Sequence, residues 1–493
     1  MRTVPLTALT PNESAEINRD YCEAYIANKI FLLRPQDYRE KYPLWPGSVG
    51  IELEMLPVIL PTDQENLMMP RPIPLQGKND SLAQVLREMA KSHSWSLVEE
   101  PNENTSYPPN LLRVELDQGD NLTFEPGGQL EFSSKPYPCL SDAVRRVRFI
   151  QQELDEQIAK NNWTFVQLGI NPWHDPDEIG LQMAKSRYKA MDYFFTKIGP
   201  YGRRMMRQTC TIQACVDFGP TETDMAKRFL ASQLIAPFAT GLFANSPFKD
   251  GSLADRPGLR SLVWRSLDPS RTGIPKLSDL ARSLNKSECV ASYLEFALAA
   301  KVVFVEALDY EVPDKDISFE QWMKSGYKGI KPTKHDFETH LSLLFPEVRP
   351  RGFLELRSVD CQARPWQIVP AAFFTGLLYD QDKLEKTLEL LMPYLSSIDT
   401  LLTESSMGLH HPVIKEVAQK LMQLSWEGFK LLPPCFRGEG TEKALRIFGE
   451  CYTNRGRTPA DDLIEEVRIT GNKTLSLKSV QSLHDKWGAY LSH

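Results

Sequence analysis

The sequence has no CxxC pair, no GxxxxGK[ST] phosphate loop and no GxGxxG dinucleotide fingerprint. The last two absences exclude nucleotide binding of the P-loop and Rossmann kinds. Its eight cysteines (Cys22, Cys139, Cys210, Cys215, Cys289, Cys361, Cys435 and Cys451) are scattered through 493 residues. A chain of that length needs no disulfide framework, which excludes the small cystine-rich class. Long hydrophobic runs are also missing. The longest, FLASQLIAPFATGLFANSPF over 229–248, is broken by Gln233, Pro237, Gly241 and Asn245. It reads as a buried core helix and not as a membrane span. The opening residues MRTVPLTALTPNESAE lack the charged-then-apolar order of a signal peptide, so a cytoplasmic location is expected. Neither sign of charge dominates: 57 Lys and Arg stand against 64 Asp and Glu, a formal net charge of −7. That balance argues against nucleic acid or an anionic membrane as a partner. Internal repeats and low-complexity tracts are absent as well.

What is present is an ordinary globular composition, 42% hydrophobic and 25% charged. The length allows about two to four domains, or one large one with insertions. Residues 1–46 read as a helical N-terminal arm. Strand patterns follow in GSVGIELEMLPVIL, NLLRVELDQGD, NLTFEPGGQLEFSS, WTFVQLGINPW, RQTCTIQACVDFG (207–219) and GFLELRSVD (352–360). Helical patterns cover DSLAQVLREMAKSHS, with Asp80 or Ser81 as N-cap, then 140–162, 221–245 and 288–310. A Pro-rich loop spans 60–76. Strands and helices mix without a βαβ rhythm, which predicts an α+β fold. The expected division is an arm (1–46), a core carrying the chemistry (47–365) and a helical C-terminal region packed on it (366–493).

Four of the strand segments put polar residues on one face, because side chains two apart share a side. These are Glu52 and Glu54 in GIELEM, and Gln129 and Glu131 after Gly127-Gly128. The other two carry Arg207, Thr209, Thr211, Gln213, Cys215 and Asp217, and then Glu355 and Arg357. A single half-exposed antiparallel strand shows the same alternation. Four such faces, rich in carboxylate and short of lysine, would repel one another unless cations neutralised them. Oxygen donors without a His or Cys cluster point to Mg²⁺ and not zinc, and Mg²⁺ with carboxylates commonly serves a phosphate substrate. Gly127 and Gly128 suit a tight turn or a close backbone approach to a ligand.

The blocks GIELEM, LTFEPGGQLEFSS, KSRYKAMDYFF, MMRQTCTIQACVDF, LFANSPF, VWRSLDPSRTG, FPEVRPRGFLELR and FFTGLLYD occur in that order. In this the chain resembles plant-type glutamate–cysteine ligase and its bacterial relatives, from about residue 47 to 470. The resemblance implies a glutamine synthetase-like core, a curved and mainly antiparallel sheet forming a funnel with helices outside. It also implies ATP as co-substrate, two or three Mg²⁺ ions and the substrates glutamate and cysteine, in a monomer or homodimer. On this basis Glu52, Glu54, Glu125, Glu131 and Glu355 are the expected metal carboxylates, with Gln213 beside a metal and a nucleotide. Arg187 and Arg357 are the expected catalytic arginines, Arg357 also touching the nucleotide. Lys185, Arg187, Tyr188, Gln129, Thr209, Thr211, Trp264 and Arg271 are the expected substrate contacts. Two departures stand out: Ala214-Cys215-Val216-Asp217 replaces Val-Asn-Leu-Asp, and Ser186 replaces a glycine. A different amine acceptor, or a silent relative acting as a binding protein, remains open at this point.

Overall fold

The computed structural model describes residues 17–33, 45–61, 69–77, 79–102, 104, 106–183, 185–471 and 474–492. Twelve strands form in chain order: β1 (Val49–Ile59), β2 (Arg71–Pro72), β3 (Ser96–Glu100), β4 (Asn110–Glu115), β5 (Asn121–Phe124), β6 (Leu130–Ser133), β7 (Trp163–Val166), β8 (Ile212–Val216), β9 (Phe248–Lys249), β10 (Ser252–Leu253), β11 (Val348–Pro350) and β12 (Leu354–Leu356). Ten of them make one sheet, ordered β11-β12-β8-β1-β6-β5-β4-β3, with β2 and β7 paired to β1 off that path. Every ladder is antiparallel and the sheet is open, with β11 and β3 at its edges. β1 organises it: its first half pairs with β8 and β6, its second with β7 and β2.

Helices pack around this sheet. Leu140–Ala159 lays Leu140, Ala143, Val147, Ile150, Leu154 and Ile158 against β1 and β7, the apolar stripe at three- and four-residue spacing. Glu222–Leu242 starts at Thr221, whose side chain accepts from the Asp224 N–H. From Phe229 to Leu242 every residue is buried, so this helix, apolar all round, runs through the core. No helix among the described residues is long and apolar enough to cross a membrane. The helix Val369–Leu378 lies under β8 and carries Pro412–Leu431 on its far side. Their crossing is close: a Cβ at Gly376 would sit 2.3 Å from the Ser425 carbonyl oxygen. One hydrophobic core runs from the N-terminal helix through the helices after 366 to Trp487.

Three expectations differ from what forms. The strand expected over 207–219 is instead the end of a helix, Tyr201–Gln208, followed by β8. Arg207 therefore leaves the polar strand face; its guanidinium pairs with Asp192 at 2.6 Å and Asp177 at 3.1 Å. Those ion pairs, and the Thr209 hydroxyl donating to the Met205 carbonyl at 2.6 Å, favour the helical turn over an alternating pattern too short to decide. The helix expected over 288–310 is Lys286–Ala299. Beyond it Val302 donates to Ile317, and Val303 and Phe304 enter a second apolar cluster. The strand expected over 352–360 is limited to β12, with Asp360 bridging to Thr211. Of the N-terminal arm, Arg19–Tyr25 is α-helix and Ile26–Ile30 a π-turn; residues 1–16 and 34–44 lie outside the described residues. So do 62–68 of the Pro-rich loop.

Candidate active site

Antiparallel register aligns the polar faces. Glu54 lies opposite Glu131, Glu52 opposite Gln213, and Glu355 opposite Cys215. Residues directly opposite in such a ladder have side chains on the same face about 5 Å apart. The apolar partners Ile51, Leu53 and Met55 point into the core. Across from the acidic face stands the second apolar cluster, carried by the helices Ser186–Ile198, Tyr201–Gln208 and Leu259–Arg265. Between sheet and cluster is a cavity of about 210 Å³. Glu52, Glu54, Glu125, Glu131 and Glu355 line it, with Arg187, Arg349, Arg351 and Arg357.

The charges separate within this cavity. At one end Glu54, Glu125 and Glu131 each bring a carboxylate oxygen to within 4.8 Å of the others. Burial first, and then Glu131, push the Glu54 carboxyl up to about 7. Burial, Glu54 and Glu131 push Glu125 well above the usual range, and burial with Glu355 and Glu131 does the same for Glu52. Glu54 is fixed by the Thr211 N–H at 2.7 Å and the Thr211 hydroxyl at 3.0 Å. At the other end the arginines converge on Glu355. Arg349 grips it with two donors, and Arg357 and Arg351 stand 3.2 and 3.6 Å away. Burial opposes ionisation of Glu355, but these three cations together outweigh it and hold its carboxyl far below the usual range. Arg357 also donates to Gln213 Oε1 at 3.1 Å.

Two donors in the cavity wall, Arg187 Nε and Trp264 Nε1, have no hydrogen-bond partner among the described residues. Arg187 also makes a long bond of 3.4 Å to Ser342 and lies over the Tyr188 ring, 5.5 Å from its centre. An unpaired buried donor is costly, so both are suited to an acceptor on a bound molecule. Arg187 also borders a second, adjoining cavity of about 440 Å³ with Lys185, Glu100, Gln182 and Tyr310.

Of the expected residues, the five glutamates, Arg187, Tyr188, Thr209, Gln213, Trp264 and Arg357 line the main cavity, and Lys185 the adjoining one. Three stand elsewhere. Gln129 is buried and donates to the Thr209 carbonyl at 3.0 Å, tying β6 to the start of β8. Thr211 holds Glu54 from behind. Arg271 is wholly buried against Asp268 and donates to the carbonyls of Leu343 and Lys301. It supports the wall segment bearing Ser342, Leu343 and Phe345 from outside the cavity. The Gly-Gly turn makes a close approach to the protein's own main chain. Gly128 takes φ +86°, and a Cβ on Gly127 would lie 2.3 Å from the Arg207 carbonyl oxygen. The turn presses against the end of the helix Tyr201–Gln208.

Sequence reasoning missed Arg349 and Arg351. Both continue the two-residue alternation of Glu355 and Arg357 backwards through VRPRGFLELR, across a hairpin turned at Arg351-Gly352-Phe353. It also missed the apolar wall of Met191, Met205, Met206 and Phe345, which no local pattern separates from core.

The donor set fits a hard divalent cation: three clustered carboxylates, Glu54 buried and Glu125 and Glu131 half-buried, with neither His nor Cys among them. The family glutamate-cysteine ligase family 2 matches residues 48–473. A chloroplastic glutamate–cysteine ligase of Medicago truncatula is 30% identical over 406 residues, 79% of this chain and 74% of that protein. The Arabidopsis thaliana chloroplastic enzyme is 30% identical over 400 residues, 79% and 72%. A Francisella tularensis glutamate–cysteine ligase, solved in complex with AMP, aligns over 90% of this chain and 93% of its own at 14% identity and a TM-score of 0.47. These relatives correct the expected cytoplasmic location, since the Medicago, Arabidopsis and rice proteins are all chloroplastic. Matched over most of its length, the chain belongs to glutamate-cysteine ligase family 2.

Proposed function

We propose that the chain ligates the γ-carboxylate of L-glutamate to the amine of L-cysteine at the expense of ATP, giving γ-glutamylcysteine, ADP and phosphate. The observation that carries this reading is the division of one cavity into a carboxylate end and an arginine end. A carboxylate that must attack a triphosphate is repelled by it, so the site needs cations beside both. Glu54, Glu125 and Glu131 would hold Mg²⁺, with Glu52, Gln213 and Glu355 lining the same face. Bound there, the cation offsets the negative charge of phosphate and carboxylate. Arg357 and Arg351, set around Glu355, supply fixed positive charge toward the phosphates. Arg187, with its free Nε, binds a substrate carboxylate and holds it oriented.

The γ-carboxylate oxygen forms a bond to the γ-phosphorus as the bond to ADP breaks, leaving γ-glutamyl phosphate. The cysteine amine then forms the C–N bond, the C–O bond to phosphate breaks, and one proton leaves the nitrogen. The apolar wall of Met191, Met205, Met206 and Phe345 excludes water that would hydrolyse the acyl phosphate. The names of the curated relatives support the choice of substrates.

The test is ADP formation with ATP, Mg²⁺ and glutamate, comparing cysteine with a panel of other amines and reading product mass. Turnover selective for cysteine with γ-glutamylcysteine as product is the expected result. Turnover with another amine alone would overturn the acceptor assignment, and no turnover with any amine would overturn the reaction.

A further inference from the structure

Behind the cavity lies a buried ion pair that touches none of its space. Asp360 is 2% exposed and Arg260 3%. One Asp360 oxygen, Oδ2, accepts from the Asn245 N–H at 2.8 Å and the Ser246 hydroxyl at 2.7 Å. The other, Oδ1, faces Arg260 Nη1 at 3.6 Å. Gly169 makes room for this carboxylate, since a Cβ there would fall 2.5 Å from the Asp360 Cγ. The Ser246 hydroxyl also accepts from the Arg260 N–H at 3.0 Å, so both members of the pair are pinned to one residue.

From this anchor the Arg260 guanidinium reaches into the wall of the site. Its Nη2 donates to the Arg357 carbonyl at 2.9 Å, fixing the backbone of the residue whose side chain contacts Gln213 and Glu355. Its Cζ lies 5.9 Å from the Trp264 ring centre, and Arg357 Cζ lies 5.7 Å from the same ring. Both cations are within reach of the attraction an indole exerts on a guanidinium. Arg260 thus holds the main chain of Arg357 directly and shares with it the aromatic surface that positions its side chain.

We propose that Asp360 and Arg260 are positioning residues: Asp360 fixes Arg260, and Arg260 fixes Arg357 and Trp264 in the geometry the reaction requires. This rests on the reading of the cavity as a ligase site and adds two residues to it that lie outside the cavity lining. A misplacement of about 1 Å at a reacting group costs up to about 100-fold in rate. Losses of that order in kcat follow when the anchor is removed, with smaller changes in KM.

The experiment compares Arg260→Lys, Arg260→Met and Asp360→Asn with Arg357→Lys, alone and combined. Steady-state kinetics are read on variants whose circular dichroism matches the wild type. The expected result is a kcat loss of about 10-fold for Arg260→Lys and Asp360→Asn and about 100-fold for Arg260→Met. Arg260→Met combined with Arg357→Lys then falls no more than about twofold below Arg357→Lys alone, because Arg260 acts through Arg357, directly and by way of the indole they share. Losses that multiply in the double variant, or a fall in melting temperature with kcat unchanged, overturn the proposal. A second reading is independent of turnover. The emission difference between wild type and Trp264→Phe isolates Trp264, and all three anchor variants shift it in the same direction if the relay exists. No shift overturns the proposal even when the ligase assay succeeds. If wild-type turnover fails with every amine while the shift is present, the ligase reading falls and the positioning stands. If Arg260→Met does not fold, Arg260→Lys, which keeps the charge, carries the same test.

Discussion

Replacing Glu131 by glutamine removes one of three clustered carboxylates without changing shape. Ligase activity should fall at least about 100-fold, the scale of losing one electrostatic group at a reacting centre. The melting temperature of the metal-free protein should rise, because a like-charge contact with Glu54 has gone. A fall in both would mean that Glu131 is structural. Arg271 predicts the opposite pattern. Its guanidinium is wholly buried beside Asp268, and Arg271→Met leaves that carboxylate buried and unpaired, at about 3–5 kcal/mol. A large drop in melting temperature is expected by calorimetry, and a variant as stable as wild type would contradict the assignment. Glu54 sets a pH dependence. Its folded pKa of about 7 lies above the ordinary carboxylate range, so it favours the protonated form. Its contribution to stability is full at low pH and is lost as pH rises through about 7. Mg²⁺ must displace that proton, so the thermal shift it produces should grow between pH 5 and pH 8 and shrink in Glu54→Gln. A shift independent of pH would exclude Glu54 as a ligand.

At the scale of elements, the turn between β5 and β6 is the part that cannot be exchanged. It carries Glu125 and sets Glu131 in register, and it does so by pressing Gly127 onto the main chain at Arg207. Gly127→Ala drives a methyl group into the main chain at Arg207, costing about 1–3 kcal/mol as overpacking does. It should lower kcat as well, because the carboxylate pair moves with the turn. Denaturant melts and kinetics on the same sample check both, and an unchanged kcat would show that the turn adjusts without moving the glutamates. The polar face that the turn completes was readable in outline. Period-two alternation in GIELEM and FLELRS marked which residues share a side, because a strand allows no other arrangement. The same rule failed at Arg207, whose tertiary ion pairs extend the helix Tyr201–Gln208 into the alternating sequence. It fell short at Arg349 and Arg351 because the hairpin turn hides the continuity of the strand pattern.

For the whole molecule, the relevant fact is that one apolar core joins the sheet to helices from both ends of the chain. Val369–Leu378 lies directly under β8, and Pro412–Leu431 covers it. A chain ended at residue 365 would expose the faces of β8 and of the Glu222–Leu242 helix. It should aggregate or stay unfolded, as judged by size-exclusion chromatography and circular dichroism. A soluble, folded 1–365 fragment would show that the C-terminal helices are dispensable.

The sequence by itself determined the class of the fold, the polar and apolar faces of its strands, and the eight ordered blocks that tie it to its family. Those are local properties, fixed by side-chain periodicity and residue type. Only the tertiary structure decided which charged residues meet. Glu131 faces Glu54 because antiparallel register brings them together across 77 residues of chain. Arg271 is a buried support and Arg357 a wall of the cavity, although both were expected to contact substrate or nucleotide. The difference lies in which carbonyls and carboxylates each one reaches, and that is set by packing between segments far apart in sequence.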